Sequence, residues 1–203
     1  MKTMDYQYTI LDAKTKADGF LPLKRYRLQH SLFAGGMSAE LIRERVEGYR
    51  AASLLPYDPI RDEVVLIEQF RIGAIEDRAG AWILEVVGGI IDGVQTPEQV
   101  ARQEAMEEAG CEVGELVSIC EFLVSPGTST ERITLFCGRV DSTTADGIHG
   151  VDAEGEDIRV VVISADEAIK GIESGRINST ASIIALQWLA LNRDDLRGRW
   201  VDS

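Results

Sequence analysis

The feature that most constrains this chain is a helix whose beginning and end are both indicated by local residues. Thr96 is a good N-cap, Pro97 suits the first helical position, and Gln99 completes a capping box with Thr96. Gly110 is the residue type that most often ends a helix, because it adopts the left-handed conformation without strain. These signals predict a helix that begins at Pro97 and ends at Ala109.

Apolar runs of strand length lie on both sides of this helix, and two further helices follow near the C-terminus with Ser164 and Ser179 as caps. The predicted strands cover residues 51–57, 63–70, 82–87, 117–123, 133–140 and 158–163, and the predicted helices cover 165–174 and 179–192. Strands and helices interleave without a regular repeat. The pattern therefore predicts an α/β domain over residues 51–203.

The first fifty residues have a different character. Residues 5–33 alternate in polarity around a turn at 17–19, and a third extended stretch covers 37–49. Three short strands are too few to form a stable core of their own. Residues 1–50 are therefore expected to form an antiparallel β domain that packs on another surface, and a second subunit is one candidate.

Charge and cysteine content narrow the classes of function. The 203 residues carry a formal charge of −13, so a phosphate ligand needs a local cation, and nucleic acid is not an expected partner. The three cysteines, Cys111, Cys120 and Cys137, form no CxxC pair and favour reduced thiols. The chain shows neither an apolar leader nor an apolar run long enough to span a membrane, so a cytoplasmic protein is expected.

Three carboxylates lie on one face of the predicted helix. Glu104, Glu107 and Glu108 stand at positions i, i+3 and i+4, about one turn apart, with few basic residues at helical spacing. An acidic helix face is most often only solvated. Here the helix follows a strand that ends in Gly88-Gly89, and hard oxygen ligands without basic partners suit Mg²⁺ or Mn²⁺.

This segment resembles the Nudix box, G-x5-E-x7-R-E-U-x-E-E-x-G-U, in which U is usually a bulky apolar residue. The spacing is intact from Gly89 to Cys111, and the metal-binding glutamates of the motif are all present. Gln95 stands where the box has Glu, and Gln103 where it has Arg. In the family these two positions form a structural ion pair, so the double replacement predicts a neutral amide pair instead.

The resemblance extends over nearly the whole chain and points within the family to the bacterial ADP-ribose pyrophosphatases. It is carried by the segments "LPYDPIRDEVVLIEQFRIGA", "SPGTSTER", "GIHGVDAEGEDIRV" and "ASIIALQWL". It implies a Nudix fold, a mixed sheet in an α/β/α sandwich, and a homodimer formed through the N-terminal β domain. It also implies hydrolysis of ADP-ribose to AMP and ribose 5-phosphate.

The resemblance further implies the residues of a metal site. The carbonyl of Gly88 and the carboxylates of Glu104, Glu108 and Glu156 would hold Mg²⁺, with Mn²⁺ as an alternative ion. Glu107 lies on the same helix face, where it would ligate directly or through water. The sequence leaves the number of metal ions open.

The general base is expected among the acids of the segment "AEGED", which are Glu154, Glu156 and Asp157, since a mobile loop can close a carboxylate over bound substrate. The resemblance favours Glu154 as base and Glu156 as ligand; a solvated acidic turn is the plain alternative. Which of the two acids is the base stays open at this stage.

Substrate contacts are expected from both parts of the chain. By the same resemblance, Arg71 and Arg43 contact phosphate or substrate, although an exposed arginine is often only solvated. The loop that contains Ser125, Gly127 and Glu131 lines a ribose in the family, with an ordinary turn as the alternative. His30 and His149 have no ligand-spaced partner, and neither is assigned a catalytic role.

Two other functions remain open. The same chemistry could act on another nucleoside-diphosphate sugar such as GDP-mannose, because residues outside the Nudix box select the substrate. A catalytically silent Nudix domain that senses a nucleotide is the alternative from a different class, prompted by Gln95 and Gln103. The retained Glu104, Glu107 and Glu108 argue against a silent domain, because a sensor has no need of them.

Overall fold

The computed structural model describes residues 6–151 and 155–201, which divide into two compact units. The first unit comprises the described residues up to Tyr49 together with residues 123–132. The second comprises residues 50–122 and the described residues from Ile133 onward. The segment 123–132, which contains the whole sequence "SPGTSTER", therefore groups with the N-terminal strands although it is distant from them in sequence.

The N-terminal unit is built on an antiparallel sheet, as predicted. Its strands are β1 (Tyr8–Ala17), β2 (Leu23–His30) and β3 (Leu41–Val46), in the order β1-β2-β3. The segment 123–132 is hydrogen-bonded to the end of β3, where the amide of Val46 donates to the carbonyl of Thr128 at 2.8 Å. Within the described part of this unit only Tyr26 and Ser38 are buried. The sheet thus has almost no core of its own.

The second unit contains one larger sheet and three helices within the described residues. The strands are β4 (Arg50–Asp58), β5 (Glu63–Phe70), β6 (Trp82–Glu85), β7 (Val87–Ile90), β8 (Leu116–Leu123), β9 (Arg132–Arg139), β10 (Ile148–His149) and β11 (Ile158–Ser164). The helices are α1 (Pro97–Ala109), α2 (Ala165–Ser174) and α3 (Thr180–Val201). The strand order is β10-β11-β5-β4-β9-β8, with β6 paired to β5 and β7 paired to β4.

The sheet is mixed, as expected. Strand β5 runs antiparallel to β4, β6 and β11. Strands β4 and β9 run parallel, because the amide of Arg132 donates to Tyr49 at one end and the amide of Val140 donates to Tyr57 at the other. A parallel pair buried between antiparallel neighbours is typical of a sheet that is covered on both faces.

Helices cover both faces of this sheet, which confirms the α/β/α arrangement. Alternate residues of β5 point to opposite faces, so Val64 and Leu66 belong to one core while Val65 and Ile67 belong to the other. The first core is filled from α2 and α3 and the second from α1. The α1 face is lined by small buried residues, Ala101, Ala105 and Ala109, which allow the helix axis to approach the sheet closely.

Most predicted boundaries differ from the structure by a few residues, for example at β3, predicted at 37–49 and observed at Leu41–Val46, and two predicted elements differ more. The apolar run 82–87 forms two strands, β6 and β7, because its halves pair with different neighbours. The last helix was predicted to end at residue 192, which is wrong: α3 continues to Val201. Its additional turns are held by the guanidinium of Arg193, which pairs with Asp62 and Asp166, and by Trp200, which is fully buried.

Asp62 is the centre of this contact between α3 and the turn after β4. It accepts from the hydroxyl of Tyr57 at 2.7 Å and from Arg193, whose hydrogen bond lowers the pKa of the carboxyl more than burial raises it. Both side chains are about four-fifths buried, so the pair is only partly screened by water. The pairing fixes the C-terminal half of α3 on the sheet.

A search of the helices in the described residues finds none with the length and apolar character that a membrane span requires.

Candidate active site

Helix α1 has the caps that the sequence predicts. The Thr96 hydroxyl accepts from the amide of Gln99 at 3.3 Å, and the Gln99 side chain accepts from the amide of Thr96 at 2.8 Å. At the other end Gly110 has φ +64°, and its amide donates back to Met106. With both ends fixed, the helix packs on β4 and β7 and presents its glutamates to the Gly88-Gly89 segment.

Glu108 is the buried member of the three glutamates on this face of α1, with 3% of its surface exposed. Its Oε2 accepts a hydrogen bond of 2.9 Å from the amide of Gly88. The pKa of this carboxyl is raised to about 8, chiefly by burial and also by the charges of Glu104 and Glu156, while the Gly88 hydrogen bond and the charge of Arg71 lower it. The site therefore concentrates negative charge around a group that has little access to water.

Glu104 is half-buried and lies directly against the backbone of Gly89. A Cβ built on Gly89 would stand 1.8 Å from Oε1 of Glu104, and one built on Gly88 would stand 2.5 Å from Oγ of Ser53. Real contacts of that kind do not occur, so any larger residue would displace the carboxylate or the strand. Gly89 therefore allows the Glu104 carboxylate of α1 to approach β7, and Gly88 allows β7 to approach β4.

Glu107 is exposed and is held by a short chain of amides. The Nε2 of Gln95 donates to Oε1 of Gln103 at 2.8 Å, and the Nε2 of Gln103 donates to Oε1 of Glu107 at 2.9 Å. The neutral amide pair predicted from the two departures from the Nudix box is thus confirmed. The structure adds that the pair ends on Glu107, which turns toward Gln103.

Glu156 lies in the segment that precedes β11. Its Oε2 accepts from the amide of Val151 at 3.0 Å, and its charge acts on Glu108. The segment before β11 therefore lies near the carboxylates of α1, although the two are separate in sequence. Glu154, the predicted base, lies outside the described residues, so its role stays a prediction.

Arg71 has a partner that was not recognised in the sequence. Its Nε donates to Oε2 of Glu85 at 2.7 Å, and the Glu85 side chain is 15% exposed. Arg71 follows the end of β5 and Glu85 lies on the neighbouring β6, so only the pairing of these strands brings the two together. The only feature of the sequence that bears on this contact is that Glu85 stands between the apolar residues Leu84 and Val86. That position does not identify the partner of Glu85.

The remaining predicted substrate residues lie in the N-terminal unit. Arg43 is exposed on β3, and its one hydrogen bond within the described part of the chain goes to the carbonyl of Ile42. Neighbouring arginines are engaged by carboxylates, for example Arg25 by Glu44 and Arg27 by Glu40. Among the arginines of the described three-stranded sheet, Arg43 is therefore the one that has no carboxylate partner within the described residues.

The loop of residues 125–131 is a compact turn in the same unit. The carbonyl of Ser125 accepts from the amides of Thr128 and Ser129, and the Ser125 hydroxyl contacts that of Thr128 at 3.0 Å. Gly127 lies at the tip with open space around its Cα, and the amide of Glu131 donates to the Ser129 hydroxyl. The turn fixes the backbone and leaves the Ser125 edge exposed.

The donor chemistry of the carboxylate group fits a hard divalent cation. Within residues 6–151 and 155–201, no three His, Cys, Asp or Glu side chains converge closely enough to hold a metal ion by themselves. The charges of Glu104 and Glu156 nevertheless act on Glu108, and all three side chains offer oxygen ligands. A cation among them would offset the repulsion that raises the pKa of Glu108.

The comparison with known families agrees with this geometry. Residues 49–189 match the NUDIX domain. The match covers more than half of the chain, and the chain therefore belongs to the Nudix family. A solved structure described as that of an ADP compounds hydrolase superposes with a TM-score of 0.71 over 96% of both chains at 19% identity, which shows a shared fold.

Curated relatives are similar over almost the full length. The chain is 49% identical to the ADP-ribose pyrophosphatase of Escherichia coli (strain K12) over 191 residues, which are 94% of this chain and 91% of the relative. It is 42% identical to that of Haemophilus influenzae over 197 residues, 96% and 91% of the two chains. A GDP-mannose pyrophosphatase of Escherichia coli O1:K1 is 31% identical over 194 residues, 93% and 98%.

The amide pair gives a first prediction. Gln95→Glu alone places a charge near Glu107 without a partner, whereas Gln95→Glu combined with Gln103→Arg restores an ion pair. Because both glutamines are exposed, we expect a coupling of only about 0.2–1 kcal/mol in a double-mutant cycle, read from denaturant midpoints of the parent and the three variants. Simple additivity of the two changes would contradict a direct contact between these positions.

Proposed function

We propose that this protein hydrolyses the diphosphate of ADP-ribose to AMP and ribose 5-phosphate, with Mg²⁺ as the cofactor and Mn²⁺ as an alternative. The observation that carries the proposal is the buried carboxylate of Glu108, fixed to the Gly88 amide beside Glu104. A buried carboxyl beside other acids, with its pKa raised by burial and by their charges, is typical of functional sites.

The proposed metal ligands are the carbonyl of Gly88 and the carboxylates of Glu104, Glu108 and Glu156. Glu107 lies at the exposed edge of the same helix face and would contribute directly or through water. When bound, a divalent cation supplies an acidified water and neutralises phosphate oxygens. The protein supplies a rigid platform, since the capped helix and the Gly88 hydrogen bond fix Glu108 before the substrate arrives.

Substrate positioning is proposed for residues of both units. Arg71, oriented by Glu85, would meet the diphosphate, and Arg43 offers a second guanidinium. Ser125, Gly127 and Glu131 would line the terminal ribose. Glu154 is proposed as the base that accepts the proton of the attacking water, with Glu156 as a metal ligand.

The identity of the substrate rests on the relatives. Two of the proteins similar over more than nine-tenths of the chain are named ADP-ribose pyrophosphatases. The relative named GDP-mannose pyrophosphatase favours a second candidate, hydrolysis of that nucleotide sugar. A silent nucleotide sensor is disfavoured, because Glu104, Glu107 and Glu108 are all retained and the amide chain from Gln95 still orients Glu107.

A panel of nucleoside-diphosphate sugars assayed with Mg²⁺ tests this function, and Glu108→Gln tests the site. We expect ADP-ribose to give AMP and ribose 5-phosphate at the highest kcat/KM. Glu108→Gln keeps the size of the side chain and removes its charge, which Mg²⁺ binding chiefly needs, so its rate should fall by about 100-fold or more.

Glu98→Gln is the matched control, because Glu98 is an exposed carboxylate in the first turn of the same helix. It should keep the parental rate. Preference for GDP-mannose would establish the second candidate, and an unchanged rate and Mg²⁺ dependence in Glu108→Gln would refute the proposed metal site. Parent protein that binds but cleaves none of the panel would point to the sensor.

The roles of the two loop acids are separable by kinetics. Loss of a general base costs about 10²–10⁴-fold in rate while binding persists, so Glu154→Gln should lower kcat far more than it changes KM. Glu156→Gln, as the loss of a ligand, should raise the Mg²⁺ concentration for half-maximal rate and recover with excess metal. Glu98→Gln, the exposed carboxylate in the first turn of α1, serves as the control here as well.

The opposite pattern, with metal rescue of Glu154→Gln only, would exchange the two roles. If neither change altered the kinetics, the segment would be a solvated turn and Glu107 would be the next candidate for the base.

We also propose that the protein is a homodimer assembled through its N-terminal unit. That unit exposes large apolar side chains that a lone sheet cannot cover, such as Tyr8 at 74% and Phe33 at 87%. Tyr6 and Phe33 contact each other edge to face beside an apolar groove of about 380 Å³.

A cytoplasmic location, consistent with three cysteines that are free, also stays a prediction.

The dimer proposal is tested by solution mass. We expect the parent to sediment as a dimer and the double variant Tyr6→Ser with Phe33→Ser to shift toward monomer, since the change removes two apolar contacts from the exposed groove. Leu191→Ser, an equally exposed apolar position on α3, should leave the mass unchanged. A monomeric parent would contradict the proposal, and a dimeric double variant would place the interface elsewhere.

A further inference from the structure

The histidine at position 149 lies where the segment before β11 meets helix α1. It belongs to the two-residue strand β10, in which His149 pairs with Ile158 and Ile148 pairs with Arg159. Ile158 is fully buried in the core that α1 covers, whereas Ile148 is 65% exposed. Since successive residues of a strand point to opposite faces, the histidine ring faces α1.

The ring contacts the C-terminal end of the carboxylate helix. A Cβ built on Gly110 would stand 3.1 Å from Cε1 of His149, which is tighter than ordinary van der Waals contact. The ring is also held by a contact of 2.7 Å between its Nε2 and the carbonyl of Asp146. Gly110 thus meets two requirements, a left-handed φ of +64° and room for the imidazole.

The two residues that follow His149 lie against Glu156. Gly150 has φ +108°, and a Cβ on it would stand 2.7 Å from Cβ of Glu156. The amide of Val151 donates to the Glu156 carboxylate at 3.0 Å. Only Gly150 therefore separates the residue whose ring contacts α1 from the residue whose amide holds Glu156.

We propose that His149 is a positioning residue, which anchors the segment carrying Glu156 to the C-terminal end of the helix that carries Glu104 and Glu108. The inference rests on the proposed function, because it assigns these carboxylates to one metal site. The imidazole acts through its shape and its hydrogen bond to Asp146. Without it, β10 keeps its pairing with β11 but loses its lateral contact with α1, and Glu156 loses its fixed distance from Glu108.

The anchor is local, because the neighbouring Ile148 does not share it. Ile148→Ala removes a side chain from the same strand without touching α1. A general weakening of β10 would affect both positions alike. A positioning role affects His149 alone and is recovered by a residue that reaches the Asp146 carbonyl.

The experiment compares His149→Ala, His149→Gln and Ile148→Ala in the full-length protein. Hydrogen exchange measures the protection of the Val151 amide, and calorimetric titration with Mg²⁺ alone measures metal affinity. We expect His149→Ala to lose the protection of Val151 and to bind Mg²⁺ about 10- to 100-fold more weakly, as for other outer-shell partners. His149→Gln should recover part of both, and Ile148→Ala should match the parent.

Kinetics adds a third readout if the parent is active on ADP-ribose. His149→Ala should then raise the Mg²⁺ requirement and lower kcat with little change in KM. Unchanged Val151 protection and Mg²⁺ affinity in His149→Ala would overturn the inference, and so would an equal loss in Ile148→Ala. A parent that cleaves none of the substrates would refute the proposed function, while exchange and calorimetry would still decide the role of His149.

Discussion

The hydrogen bond between the Gly88 amide and the buried Glu108 carboxylate is the interaction on which the rest of the site depends. Removing a carboxylate from water costs several kcal/mol unless its oxygens find donors. The backbone of Gly88 provides one donor at 2.9 Å, and Gly88 and Gly89 reach this position because neither carries a Cβ. The alanine face of α1 allows the same close approach from the helix side. Helix, glycines and carboxylate therefore form a single steric and electrostatic unit.

Local signals were sufficient to predict α1, because Thr96, Gln99 and Gly110 act within one turn of the helix ends. Long-range pairing was not available from the same signals. The run 82–87 divides because each half has its own partner strand, and α3 extends because Arg193 finds Asp62, 131 positions away. Periodicity identifies which elements exist, but their ends depend on tertiary contacts.

The candidate site shows the same difference between features that local spacing predicts and features that depend on long-range contacts. Spacing predicted that Glu104, Glu107 and Glu108 share a face, but their unequal burial follows from the rotation of α1, which its packing on the sheet determines. The Gln95 and Gln103 pair could be anticipated because both residues depart from one motif. Glu85 beside Arg71 and His149 beside Gly110 could not, since each contact joins elements that are separate in sequence.

The charge of the molecule bears on how a diphosphate would reach such a site. A protein of net charge −13 repels a polyanion at long range, and many of its arginines are already engaged, as Arg25 is by Glu44 and Arg71 by Glu85. The same field attracts divalent cations and concentrates them near the carboxylates. A diphosphate that carries a cation has less charge to be repelled and would bring an ion to the site proposed at Glu104 and Glu108. An acidic surface would thus favour the substrate as its metal complex, and the proposed guanidiniums would need only to orient it.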